Sequence, residues 1–265
     1  MHESVTSLID EAVKLMLDNS GSITRIAKLN DKHDNKIHFI PKRYRIFSGL
    51  LQSMNIQFGN FIEKLMTLIV ENDGRYEVID KYSGKKSNSF KLSATNDNRI
   101  DAYISQCQIG YADYCNQEFR QLLESIIGDT DENLHNLKHD IDLLFRDKQS
   151  GVYYYLEVKY NDDHDTGKFV DINRKFIKTY AYLTRELGIE TVDSLVPILF
   201  FFNNKKMKGN IYLPEATNIR RGKAFFDEFL SLRYEDVDAY MKELSERPEN
   251  IKMFDELYQK IVATT

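Results

Sequence analysis

Two cysteines in 265 residues, Cys107 and Cys115, leave no disulfide framework and no Cys/His zinc cluster to build on. They stand eight apart in a helical pattern and read as reduced core thiols of a cytosolic protein. Long apolar runs are also missing. The longest, "LVPILFFF" at Leu195 to Phe202, is the size of a strand and falls well short of a membrane span. The first residues carry no basic region, and Glu3, Asp10, Glu11 and Lys14 interrupt their apolar positions, unlike a secretory signal. A cytoplasmic protein without membrane contact is expected.

Positive charge is not in excess either. The formal net charge of −5 excludes a basic field over the whole surface, so any contact with nucleic acid must come from local patches. Gly-rich phosphate loops and a nucleophile elbow are absent, which leaves a small-molecule enzyme unsupported. "YSGKKS" at Tyr82 to Ser87 lacks the leading glycine of a phosphate loop and reads as a turn. There are no repeats, low-complexity tracts or linker-like stretches.

What is present suits one α/β (α+β) domain spanning 1–265. It divides into a helical and basic arm (1–45), a core (46–202) that holds the candidate catalytic residues, and a basic segment, a candidate for recognition, followed by C-terminal helices (203–265). Helical periodicity covers Val5 to Met16, then Ile46 to Ile69 in one or two helices. One long helix is expected from Arg99 to Ile127, ended by Gly128, and another from Val170 to Leu187, ended by Gly188. The polar stretch from Leu29 to Arg45 reads first as a solvated connector and second as a phosphate-contacting arm. Glu63, inside an apolar helical pattern, reads by itself as an exposed glutamate paired with a lysine.

The chemistry concentrates in "HDIDLLFRDKQSGVYYYLEVKY", residues His139 to Tyr160. It reads as two apolar strands around the turn "DKQSG". Asp140 and Asp142 share one face of the first strand; Tyr153, Tyr155, Glu157 and Lys159 share one face of the second. The turn makes Asp142 and Glu157 cross-strand neighbours, about 5 Å apart at Cβ. Two carboxylates that close need a cation between them. Mg2+ suits them, because it takes hard oxygen ligands and is held by one or two carboxylates with water and phosphate. Lys159 on the same face can orient or deprotonate an attacking water. Together these groups suit phosphodiester hydrolysis. Asp140 stays a rival to Asp142, since a two-residue register shift exchanges them.

Asp142, apolar strand, turn, apolar strand and Glu157-Val-Lys159 together resemble the PD-(D/E)xK nuclease superfamily, with Ile141 in place of the leading proline. The likeness extends to type II restriction endonucleases of the TdeIII/HinfI kind. "FSGLLQSMNIQFGNFIEKLM" is similar to that family's upstream helix, and "LEVKYNDDHDTGKFVDINRKFIKTYA" to its ExK strand, loop and next helix. The resemblance runs from about Phe47 to Phe202. It implies a restriction-endonuclease-like central mixed sheet flanked by helices, with helical N- and C-terminal additions. It also implies Asp142 and Glu157 as metal ligands, Lys159 as the catalytic lysine, and Glu63 as a helix carboxylate facing the metal.

The activity so implied is Mg2+-dependent cleavage of double-stranded DNA at a short palindrome, of which an interrupted one such as GANTC is the family hint. A homodimer would match a two-fold site, and a cognate DNA methyltransferase would protect it. A junction-resolving nuclease and an inert DNA binder on the same fold are the alternatives. Expected DNA contacts are Lys168, Asn173, Arg174 and Lys178 after the lysine, with Arg174 and Lys178 on one helix face. A second patch holds Asn203, Asn204, Lys205, Lys206, Lys208, Arg220 and Arg221, side chains of the kind that read base edges. His164 is a proton carrier or, more simply, a solvated loop residue.

Overall fold

A computed structural model describes residues 3–109, 113–162, 166–205 and 212–264. His164, Lys206 and Lys208 lie outside them. The chain forms two compact units, residues 1–65 with 232–265, and residues 66–231.

The first unit is helical. It contains α1 (Glu3–Ser20), α2 (Ile23–Asp34), the greater part of α3 (Lys42–Asp73), and, from the other end of the chain, α9 (Tyr234–Glu246) and α10 (Pro248–Thr264). Leu17, Ile26, Ile46, Leu50, Met54, Leu257 and Ile261 close its core. Pro248 opens α10, where its missing N–H costs nothing. The expected long connector shrinks to residues 35–41, because α2 reaches Asp34 and α3 starts at Lys42. Charged side chains there decorate helix surfaces as well as a loop. Glu63 lies on α3 within this unit.

The second unit begins with the last turns of α3. Its elements are β1 (Tyr76–Val78), β2 (Gly84–Ser93), α4 (Ala94–Gln108), α5 (Tyr114–Ile127), β3 (Leu134–Ile141), β4 (Leu143–Asp147), β5 (Tyr153–Lys159), α6 (Thr166–Leu187), β6 (Leu195–Phe201), α7 (Glu215–Asn218), β7 (Ile219–Arg221) and α8 (Gly222–Phe229). The main sheet has the order β1-β4-β5-β6-β7. β1, β4 and β5 are antiparallel, while β5, β6 and β7 are parallel, so the five-stranded sheet is mixed. β2 and β3 form a separate antiparallel pair. The parallel β5-β6 pairing needs a crossover, and α6 supplies it.

One expected helix is two. α4 begins early, at the Ser93 N-cap whose hydroxyl accepts the Asn96 N–H, and it ends at Gln108; α5 begins at Tyr114. Gly110, a poor helix former, lies between them in sequence. Cys107 and Cys115 are free thiols, half-buried, and burial pushes the Cys107 thiol up to about 11. Such a thiol stays protonated and unreactive at neutral pH.

The main sheet is buried on both faces. Phe145 stacks on Tyr154 at 5.2 Å, with Phe229 edge-on to both, while Tyr155 stacks on Phe176 of α6 at 5.2 Å. α6 ends where Gly188 takes φ 63°, a backbone state open to glycine at little cost.

Candidate active site

The site begins with a turn. The Asp147 carboxylate accepts the N–H groups of Gln149 and Ser150 and pairs with Arg75, and Gly151 turns at φ 76°. The Asp147 N–H donates to the Val152 carbonyl at 2.9 Å. The register that follows pairs Leu143 with Leu156 and Arg146 with Tyr153, so Asp142 falls opposite Glu157, as the sequence implies.

The first strand is not continuous, however. β3 pairs with β2 as far as Ile141, the chain bends at Asp142, and β4 enters the main sheet at Leu143. Asp142 is thus the residue at which the chain changes sheets. There its Oδ2 accepts the Val158 N–H at 2.8 Å. A carboxylate takes an amide of β5 next to Glu157, which locks the side chain toward that strand.

Glu157 is 1% exposed. A lone carboxylate there would protonate, since burial disfavours the charged form. Burial does act to raise its pKa, but the Lys159 and Lys175 ammoniums outweigh it and hold the carboxyl below the usual carboxylate range. Lys159 Nζ lies 2.8 Å from Glu157 Oε1, 3.4 Å from Asp142 Oδ2 and 2.9 Å from the Val158 carbonyl oxygen. The Tyr155 hydroxyl donates to Glu157 Oε2 at 2.8 Å. Burial raises the Tyr155 pKa well above its ordinary value, so it remains a donor. The arrangement is one cation held by two carboxylates and a carbonyl, with the glutamate fixed from behind by a tyrosine.

Of the expected site residues, the structure brings Asp142, Glu157 and Lys159 together. Asp140 is turned to β2 and accepts the Ser87 N–H at 2.7 Å. Two further groups escaped the sequence reading. Lys175 of α6 reaches Glu157 Oε1 at 3.7 Å. His139 shares a cavity with Lys175; burial, together with Lys175 and Lys159, lowers its pKa to about 4 against the opposing pull of Glu157 and Asp140, so its ring is neutral. The available signal for Lys175 was its place beside Phe176 at the edge of the apolar stripe of α6.

The expected DNA contacts separate. Asn173 is wholly buried: its amide donates to the Phe169 carbonyl at 2.6 Å and accepts the Tyr212 N–H at 3.0 Å, so it staples α6 to the chain before α7 and cannot reach DNA. Arg174 and Lys178 do share a face, but α4 meets it with acids. Arg174 pairs with Asp101 at 2.8 Å and Lys178 with Asp97, which occupies the charges expected to reach phosphate. Arg221 pairs with buried Asp162 at 2.8 Å and with Glu215 at 3.0 Å, and Arg220 pairs with Glu228. Asn203 bonds Asn161 at 3.1 Å, while Asn204 accepts the Lys223 N–H at 2.8 Å. Asn204, Lys205 and Lys168 are exposed.

Comparison with known proteins places the chain in a family. The family model for HinfI, a type II restriction endonuclease, matches residues 1–245. The chain is 62% identical over 263 residues to the type II restriction enzyme HinfI of Haemophilus influenzae, covering 99% of each chain. No solved structure matches. Matched to one family over nearly its whole length, this chain belongs to the HinfI family of type II restriction endonucleases, enzymes that cut DNA at a defined sequence.

Proposed function

We propose that this endonuclease hydrolyses double-stranded DNA through Asp142, Glu157 and Lys159, with Mg2+ as its metal. The observation that carries the reading is the convergence of Asp142 Oδ2, Glu157 Oε1 and the Val158 carbonyl oxygen on a single cation, the Lys159 ammonium. That all-oxygen donor set, two of its members anionic, fits a hard divalent ion. Glu157 fits further because its neighbours keep it ionised despite burial. When bound, the metal would polarise the phosphoryl group and lower the pKa of a bound water. Lys159 places a positive charge beside the carboxylates, where it offsets charge developing on the phosphate. Tyr155 holds Glu157 in one orientation.

Recognition is assigned to Lys168, Asn203, Asn204 and Lys205, with Lys206 and Lys208 of the same segment, and to Arg220 where its guanidinium is released from Glu228. The target is a short palindrome interrupted as in GANTC, cut by a homodimer in the cytoplasm. A cognate methyltransferase of the restriction-modification system protects the host copy of that site.

Plasmid and phage DNA incubated with Mg2+ or with EDTA, followed by sequencing of the fragment ends, tests this directly. Discrete Mg2+-dependent fragments ending at one interrupted palindrome are expected, and they should vanish in Glu157→Ala. Ends without a common sequence, or wild-type rates in that variant, contradict the proposal.

A further inference from the structure

Glu157 Oε1 carries two ammonium groups from two different elements. Lys159, at 2.8 Å, comes from the same strand; Lys175, at 3.7 Å, comes from α6. Oε2 is engaged by Tyr155. A divalent ion entering the oxygen cluster of Asp142, Glu157 and Val158 therefore arrives at an oxygen already facing Lys175. Two like charges about 4 Å apart repel measurably even through a partly aqueous medium.

Lys175 has somewhere to go. Its side chain is 47% exposed, against 21% for Lys159, and it lines a cavity of about 290 Å3 with Lys138, His139, Arg174, Lys178 and Thr179. The other α6 cations of that wall are engaged elsewhere, Arg174 with Asp101 and Lys178 with Asp97. Glu157 is the carboxylate with which Lys175 pairs among the described residues, and a metal there would compete for it.

We propose that Lys175 is an exchangeable counter-ion: it holds Glu157 in the metal-free enzyme, yields that oxygen to the divalent ion, and then contacts a DNA backbone phosphate beside the scissile bond. The proposal rests on the metal site inferred above. It makes Lys175 work against metal binding and in favour of cleavage, a combination that a purely structural lysine does not produce. No bond is made or broken in the exchange. The ammonium stays protonated and changes partner from carboxylate to phosphate.

The test uses the full chain, with Lys175→Met, Lys175→Gln and Lys175→Arg beside Glu157→Ala. Mn2+ binding is followed without DNA by the paramagnetic resonance signal of the free ion, and cleavage by single-turnover assay with Mg2+. Lys175→Met and Lys175→Gln should each bind Mn2+ about tenfold more tightly while cleaving about a hundredfold more slowly. Lys175→Arg should return both values toward wild type. Unchanged or weaker Mn2+ binding in both neutral variants, or wild-type cleavage in both, overturns the proposal. Mn2+ binding by Glu157→Ala equal to wild type overturns the metal site itself, and is told apart by that variant alone.

Discussion

The hairpin of β4 and β5 and the segment from Asn203 to Lys223 both present charged residues beside buried strands, yet they use them in opposite ways. In the hairpin, Asp142 and Glu157 face each other across two strands, and their repulsion is relieved by Lys159 and Lys175. In the segment, a run of cations looks like a free basic patch, but Arg220, Arg221 and Lys223 meet acids, three of them near in sequence and one, the buried Asp162, brought from a distance by folding. Arg221 closes on Asp162 and Glu215, Arg220 on Glu228, and Lys223 on Asp227. Acids forced together create demand for a cation. A cation that meets an acid brought from elsewhere, as Arg221 meets Asp162, satisfies a buried charge and holds the fold. Charge density along a sequence window therefore says little about free charge on the surface.

The sharpest break of this contrast is in the hairpin. Glu157→Ala and Lys159→Ala should each lower single-turnover cleavage by about a thousandfold or more, because groups of one site act as a unit. Asp142→Asn should cost about as much while Asp140→Asn costs less than about tenfold; equal losses would restore Asp140 as ligand. Next comes the segment. Arg221→Met removes the guanidinium from the buried Asp162 and should lower stability by about 3 to 5 kcal/mol in denaturant titration. Adding Asp162→Asn should recover much of that, and no recovery would mean that Arg221 acts by packing on Phe201 instead.

A smaller effect is expected at the turn. Burial acts to raise the Asp147 pKa, but the Gln149 and Ser150 N–H groups and Arg75 outweigh it and hold the carboxyl below its ordinary value. A depressed folded pKa gives stability that is present above the unfolded pKa of about 4 and lost as pH falls below it. Asp147→Asn should therefore flatten stability against pH in that acidic range and cost about 1 to 2 kcal/mol at neutral pH. Unfolding midpoints measured across that range decide it. The smallest effect belongs to Lys205, exposed in the segment. Lys205→Ala should weaken DNA binding equally on all sequences and reduce the slope of log affinity against log salt by about 0.9, one phosphate contact. An unchanged slope would take Lys205 off the DNA.

How far the sequence could be read follows from the distance over which each feature is decided. The turn at Asp147 and Gly151, the cross-strand placement of Asp142 opposite Glu157, and the strand from Leu195 to Phe201 are local, set by side-chain alternation and turn chemistry, and all were legible. So was the α6 stop at Gly188. The break between α4 and α5 was not, because apolar periodicity continues through it. Asn173 misled for a different reason: an asparagine on an amphipathic helix looks the same whether its amide faces DNA or staples Tyr212 and Phe169.

The sequence by itself determined the chemistry available: two acids and a lysine at strand spacing, and a family likeness carried by Glu157-Val-Lys159. Only the tertiary structure decided which charges are spoken for. It set Asp142 at the point where the chain changes sheets, brought Lys175 from a helix to a strand glutamate, and matched Arg174 and Lys178 with acids of α4. The physical reason is that alternation and turns act between near neighbours, whereas an ion pair depends on which surfaces pack together, and that is known only once the whole sheet and its helices have closed.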